Sequence, residues 1–254
     1  MFNYIPIVYT LKSRMISNAE KVSWFLIYPL FLMFFGAFND LPFLPFLVSF
    51  LSLVSVYEVG YLYNDFVTVK KEVEPTIRVP GERFEFENHL GKHVLIRLFI
   101  SVVLALFFQL ITGSFILILL LLVLLVTFYC HNRIRSRWNV LTYFLLSSEK
   151  YLFPLFPFLS LEESIVILLS FPICRTIEHS TKRKYGFICM RKLVGDVDLF
   201  RVFYYSLVML VLFVSAVANL IEWQLLLAIG YFLLYRVASY KFRNKVVTKK
   251  HSAY

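Results

Sequence analysis

The sequence predicts an all-α membrane protein, a polytopic bundle of about eight transmembrane helices, or nine, built as one domain over residues 1–254. Three observations predict it. Hydrophobic residues make up 59% of the 254 residues and charged residues only 17%, where a water-soluble domain carries about a quarter charged. The apolar residues gather into runs of about 15–22, the length of helix that crosses about 30 Å of hydrocarbon. Long runs such as 116–126 are continuous rather than alternating, so they read as helix and not as barrel strand.

Taken in order, the crossings fall at 24–38, 42–63, 93–111, 114–130, 139–158, 162–178, 200–218 and 220–238. Residues 1–23 lack the basic start, apolar centre and small-residue end of a signal peptide. Tyr4, Ile5, Ile7, Val8 and Tyr9 are mixed there with Lys12, Arg14 and Lys21. That mixture predicts an amphipathic segment lying in the membrane interface. The short loops after crossings one, three, five and seven hold Asp40, Glu162, Glu163 and Glu222 and no Lys or Arg. The remaining loops and both tails hold nearly all the basic residues, among them Lys70, Arg78, Arg133, Arg137, Lys182 to Lys184, Arg191 and Lys241. Basic residues stay on the cytoplasmic side. Both termini, the basic tail 239–254 and every long loop are therefore expected in the cytoplasm, with the bundle in the inner (cytoplasmic) membrane. The formal net charge of +10 is accounted for by that orientation and by anionic lipid, so no nucleic-acid partner is expected. Cys130, Cys174 and Cys189 form no CxxC pair and read as free thiols.

The informative residues are those that hydrocarbon tolerates poorly, since a charge at a helix centre costs about 2.5–3.5 kcal/mol on insertion scales. Glu58 lies inside the second crossing, and Asn64 and Asp65 close it, followed by Thr68 and Glu72. Positions 58, 65 and 72 are seven apart and share one face of a continuing helix. Three carboxylates there need a cation, and magnesium with substrate phosphates is the one that hard oxygen ligands suit. A solvated helix end, with Glu58 paired to a lysine, fits the same spacing equally. Glu149 and Lys150 lie side by side in the fifth crossing, where Lys150 could neutralise Glu58 or reach a phosphate. Arg175, Glu178 and Lys182 recur at helical spacing at the end of the sixth, with Arg183 beside them. A cationic cluster at that boundary suits a lipid phosphate or a diphosphate.

The run Asn64-Asp65-Phe-Val-Thr68-Val-Lys-Lys-Glu72 resembles the first signature of the UbiA superfamily of membrane prenyltransferases, NDxxDxxxD. Asn64 and Asp65 match, Glu72 takes the last acidic place, and Thr68 replaces the middle one. Tyr129 to Arg133 is similar to the family's YSxxLKR stretch, and Asn139 and Lys150 stand where its fifth helix has Asp and Arg. The resemblance implies a helical bundle around a cavity open to lipid, a polyprenyl substrate, and Mg2+ holding a diphosphate through Asn64, Asp65 and Glu72. Lys150, Arg175, Glu178, Lys182, Arg183, Tyr129 and Arg133 would hold the substrate phosphates. The family's second acidic motif is replaced by the Lys/Arg-rich run after Glu178. That replacement resembles the branch that transfers phosphoribose from phosphoribosyl diphosphate to a polyprenyl phosphate. Two rival expectations are prenyl transfer to a small acceptor and a non-catalytic lipid-binding or scaffold role. A transporter ranks behind both, because neither an inverted repeat nor paired broken helices are visible.

Overall fold

The computed structural model describes residues 2–71, 77–134 and 136–251, with side chains described for 3–70, 77–134 and 136–243. It is 83% helix, and the described residues contain no strand. Among the described residues, six helices are long and apolar enough to cross a membrane: Asn18–Phe38, Phe43–Thr68, Leu90–Thr112, Ile116–Arg133, Val197–Val217 and Trp223–Arg243. The chain is an integral membrane protein. It divides into two compact units, Met1–Phe158 and Leu159–Tyr254.

The first unit opens with a short helix, α1 (Val8–Ser13). The first span follows as α2 (Asn18–Phe25), a π turn at Leu26–Leu30, and α3 (Phe31–Phe38). Its start is fixed by a capping box, in which Ser17 and Glu20 each accept from the other's backbone N–H. Pro29 lies in the π turn, where a residue without an N–H forces the ladder to skip. Next come α4 (Phe43–Tyr63), which runs on into a π turn at Asn64–Thr68, then α5 (Arg83–Asn88), α6 (Leu90–Thr112), α7 (Ile116–Arg133) and α8 (Asn139–Leu152). Helix α4 is the hub. Its Ser52 hydroxyl lies 3.0 Å from the Ser101 carbonyl on α6, and its Tyr57 hydroxyl donates to the Leu146 carbonyl on α8 at 2.9 Å.

Gly60 sets the approach of α4 to α7. A Cβ placed there would lie 2.4 Å from the Phe128 ring. Phe128 has little room to yield, because it packs edge-on to Tyr57 at 4.6 Å and is 6% exposed. Gly60→Ala is expected to cost about 1–3 kcal/mol through overpacking, read as a lower apparent melting temperature in detergent. Gly36→Ala meets only ordinary contacts, at 3.8 Å from Leu155, and should melt with the wild type. Equal melting of the two variants would refute the close-approach account.

The second unit contains α9 (Leu161–Ser170), α10 (Pro172–Ser180), α11 (Ile188–Val194), α12 (Val197–Val217) and α13 (Leu226–His251). The crossing expected at 162–178 is broken at Phe171, because Pro172 cannot donate to the preceding turn. The carbonyls freed there are taken by two tyrosines of α12. Tyr204 donates to Leu169 O at 2.9 Å and Tyr205 to Ser170 O at 2.7 Å. The crossing expected at 139–158 is also shorter than its apolar run: α8 ends at Leu152, before Pro154, and only a 3-10 turn at Phe156–Phe158 follows. Six of the eight expected crossings thus stand as long helices, and the other two are helical in pieces.

Candidate functional site

Two of the buried acids of the first unit, Glu58 and Asp65, lie seven residues apart on α4 and its π turn, as the spacing predicts. Glu58 is fully buried and Asp65 is 2% exposed. Each already has a cation from the chain itself. Glu58 Oε2 accepts from Arg97 Nε at 2.9 Å, and its Oε1 accepts from the Thr10 backbone N–H at 2.7 Å. Arg97, also fully buried, gives a further hydrogen bond to the Asn3 carbonyl at 3.0 Å. Glu58 is therefore paired to an arginine of α6, not to the lysine that the spacing argument considered.

Asp65 is held from both sides. Its Oδ1 accepts from Arg14 Nη2 at 2.9 Å and from Asn64 Nδ2 at 3.1 Å, and its Oδ2 accepts from the Tyr9 hydroxyl at 2.7 Å. Tyr9 is fully buried against Leu62, Phe66 and Phe86. Burial, then the charge of Asp65, push its hydroxyl pKa far above the ordinary phenol value, so it stays a donor. The Arg14 guanidinium also stacks on Tyr61, 4.4 Å from the ring centroid. Helix α1 thus covers the acidic end of α4. It is entered through Ile7 at φ +80°, a backbone conformation that a β-branched residue adopts only under strain.

Beside α1 a small pocket is lined by Thr10, Trp24, Tyr28, Tyr57, Tyr61 and Lys150. The Lys150 ammonium lies 4.2 Å from the Tyr28 ring centroid and 5.6 Å from that of Tyr57. Trp24 Nε1 and the Tyr28 hydroxyl are buried without a hydrogen-bond partner among the described residues. The neighbouring Glu149 faces α7 instead, accepting from the Thr127 hydroxyl at 2.6 Å. Tyr129 and Arg133 sit at the exposed end of α7, where the guanidinium donates to the phenol and lies 5.2 Å from its ring centroid. Asn139 closes that end of α7 by donating to the His131 and Ile134 carbonyls at 3.0 and 2.9 Å.

In the second unit Arg175 and Glu178 share a face of α10 and pair with each other. Glu178 is further gripped by Arg201 of α12, Nε to Oε1 at 2.6 Å and Nη2 to Oε2 at 2.8 Å. Glu178 is thus an ion-pair centre that positions two arginines. Lys182 and Arg183 lie beyond the end of α10 and are exposed. Glu72 lies outside the described residues.

Sequence reasoning passed over Tyr9, Arg14 and Arg97. Arg97 carried a signal, a charge within the apolar run 93–111. Tyr9 and Arg14 carried none beyond amphipathicity, because their partner is 51 or more residues away.

Of the three residues expected to hold magnesium, the structure describes Asn64 and Asp65. Among the described residues no group of three His, Cys, Asp or Glu could hold a metal, and both Asp65 oxygens carry protein donors. Comparisons with family models, with curated proteins and with solved structures find no match.

Proposed function

We propose that the chain is a UbiA-type integral membrane transferase acting on a polyprenyl substrate. The favoured reaction moves phosphoribose from phosphoribosyl diphosphate to a polyprenyl phosphate. Both termini and the long loops lie in the cytoplasm in this reading, as the distribution of basic residues supports. The observation that carries the proposal is Asp65. A membrane helix ends in the motif Asn64-Asp65, and that carboxylate is buried yet fully used, aligning a phenol and a guanidinium. An ionisable residue within a membrane segment marks a functional site by default.

In the transfer, an oxygen of the lipid phosphate attacks the anomeric carbon of the ribose. The new bond is that oxygen to carbon, and the broken one is carbon to diphosphate oxygen, which leaves with the electron pair. The step needs charge stabilisation and alignment more than proton transfer. By the resemblance, Lys150, Lys182 and Arg183 would supply positive charge to the substrate anions.

The test is transfer of label. Purified protein is given phosphoribosyl diphosphate labelled in the ribose, together with a polyprenyl phosphate, and the lipid phase is counted. Labelled lipid is expected, and Asp65→Asn should lower its formation at least 100-fold. Label transferred only from a labelled prenyl diphosphate would replace this reading with prenyl transfer. Lipid binding without transfer from either donor would leave a non-catalytic member of the same fold.

A further inference from the structure

We propose that Arg14 is a phosphate-receiving residue, its guanidinium fixed by Asp65 and Tyr61 so that its remaining N–H edge takes the oxygens of a phosphate monoester or diphosphate. The inference rests on the transferase reading for its ligand class and deepens it by naming the group that receives the anion.

Three features carry it. First, the guanidinium is oriented on two sides. Nη2 donates to Asp65 Oδ1 at 2.9 Å, and the plane lies over Tyr61 with Cζ 4.4 Å from the ring centroid. Asp65 itself is unable to swing away, because Tyr9 holds its other oxygen at 2.7 Å and Asn64 shares the first. An arginine so fixed has lost its rotamer freedom before any ligand arrives, which removes much of the cost of binding.

Second, the guanidinium is not used up. It carries five N–H donors. Among the described residues, Nε and Nη1 make no hydrogen bond, and the side chain is 19% exposed. The paired arginine on α6 is different. Arg97 spends Nε, Nη1 and Nη2 on Glu58, His93 and Asn3 and is fully buried. One arginine is a structural pin, and the other is a pin with a free edge.

Third, the place suits a phosphate. Arg14 sits at the junction of the amphipathic segment with the first span, which begins at Asn18. Headgroup-level anions lie at such a boundary, and a planar fork matches the paired oxygens of phosphate. Tyr61, under Arg14, also lines the pocket that contains Lys150, so two cations stack on rings of one aromatic group.

The experiment uses the full chain in nanodiscs and two phosphate probes, each beside a phosphate-free partner. The lipid arm compares geranylgeranyl phosphate with geranylgeraniol, and the soluble arm compares phosphoribosyl diphosphate with ribose. Arg14→Lys keeps the charge and the pairing to Asp65 but loses the planar fork. It is expected to weaken at least one of the phosphate probes tenfold or more, with an unchanged melting temperature, and Arg14→Gln should weaken the same probe. The arm that responds identifies which phosphate Arg14 receives. Lys12→Ala removes an outer tie between α1 and Glu82 and should bind both probes as the wild type does. If Arg14→Lys binds both probes with wild-type affinity, or the wild type prefers neither phosphate probe to its partner, the proposal is wrong. It is equally wrong if Mn2+, followed by its spin resonance, binds the wild type stoichiometrically, is lost in Asp65→Asn and is retained in Arg14→Gln. Failure of the transferase reading is distinct: Arg14-dependent phosphate binding would persist while no label reaches lipid.

Discussion

Arg97→Met is expected to destabilise the first unit by about 3–5 kcal/mol, because it leaves a carboxylate buried without its cation. The magnitude follows from the burial on both sides of the pair. Glu58 and Arg97 are each fully buried, so neither charge can turn to water when the other is removed. The loss extends past the pair. The Asn3 carbonyl and the Glu58 carboxylate both lose an Arg97 donor, and an unsatisfied buried polar group costs about 1–3 kcal/mol. The apparent melting temperature of detergent-solubilised protein measures the effect, with light scattering to record aggregation. The double variant Glu58→Met/Arg97→Met removes both charges at similar volume and should recover more than half of the loss, since a buried pair and an apolar replacement are often near equal. It should not recover all of it, because the Thr10 N–H and the Asn3 carbonyl remain without their partners. A single variant that melts with the wild type would mean that the carboxylate has another cation or is neutral without one.

That pair also marks where the sequence was legible and where it was not. The long apolar runs predicted helices because lipid leaves the backbone no other partner, and six of them stand as long helices. The spacing 58, 65 and 72 predicted three acids on one face; Glu58 and Asp65 are both buried, and Glu72 lies outside the described residues. What the run lengths could not convey was interruption. The runs around 153–158 and 171–172 remain apolar throughout, and the breaks come from Pro154 and Pro172, which change the hydrogen-bond ladder without changing hydropathy. The site was half legible for a similar reason. A motif identifies one strong partner, Asp65, through its own spacing. Its counter-ion is set by tertiary placement, and Arg14 is 51 residues away in a segment whose pattern gave only amphipathicity. Lys150 stood out in the sequence as a costly charge within an apolar run, but the rings of Tyr28 and Tyr57 that it meets come from elements far off in sequence.

In the second unit the largest expected loss is at Glu178. Glu178→Gln should cost about 2–4 kcal/mol, between the loss of a charged hydrogen bond and the break of a buried pair. Glu178 is 9% exposed, and both its oxygens accept from Arg201, at 2.6 and 2.8 Å. Glutamine keeps one acceptor oxygen and turns an NH2 group toward a guanidinium, so one of the two parallel hydrogen bonds becomes a donor–donor clash. Arg201 would keep only Asp198 Oδ1 at 3.0 Å as an acid partner among the described residues. The network continues outward from there: Asp198 and Asp196 accept from Arg243 at 2.5 and 2.7 Å, where the arginine side chain is 43% exposed. Water and salt screen that outer end, and exposed ion pairs contribute little. Arg243→Gln should therefore leave the melting temperature unchanged at physiological salt, while Glu178→Gln lowers it at both low and high salt. The contrast separates two accounts of one chain of charges. If burial sets the energy, the inner variant alone is damaged. If the network acts as a unit, cutting its outer link would cost as much as cutting its centre, and the salt dependence of the two variants would match.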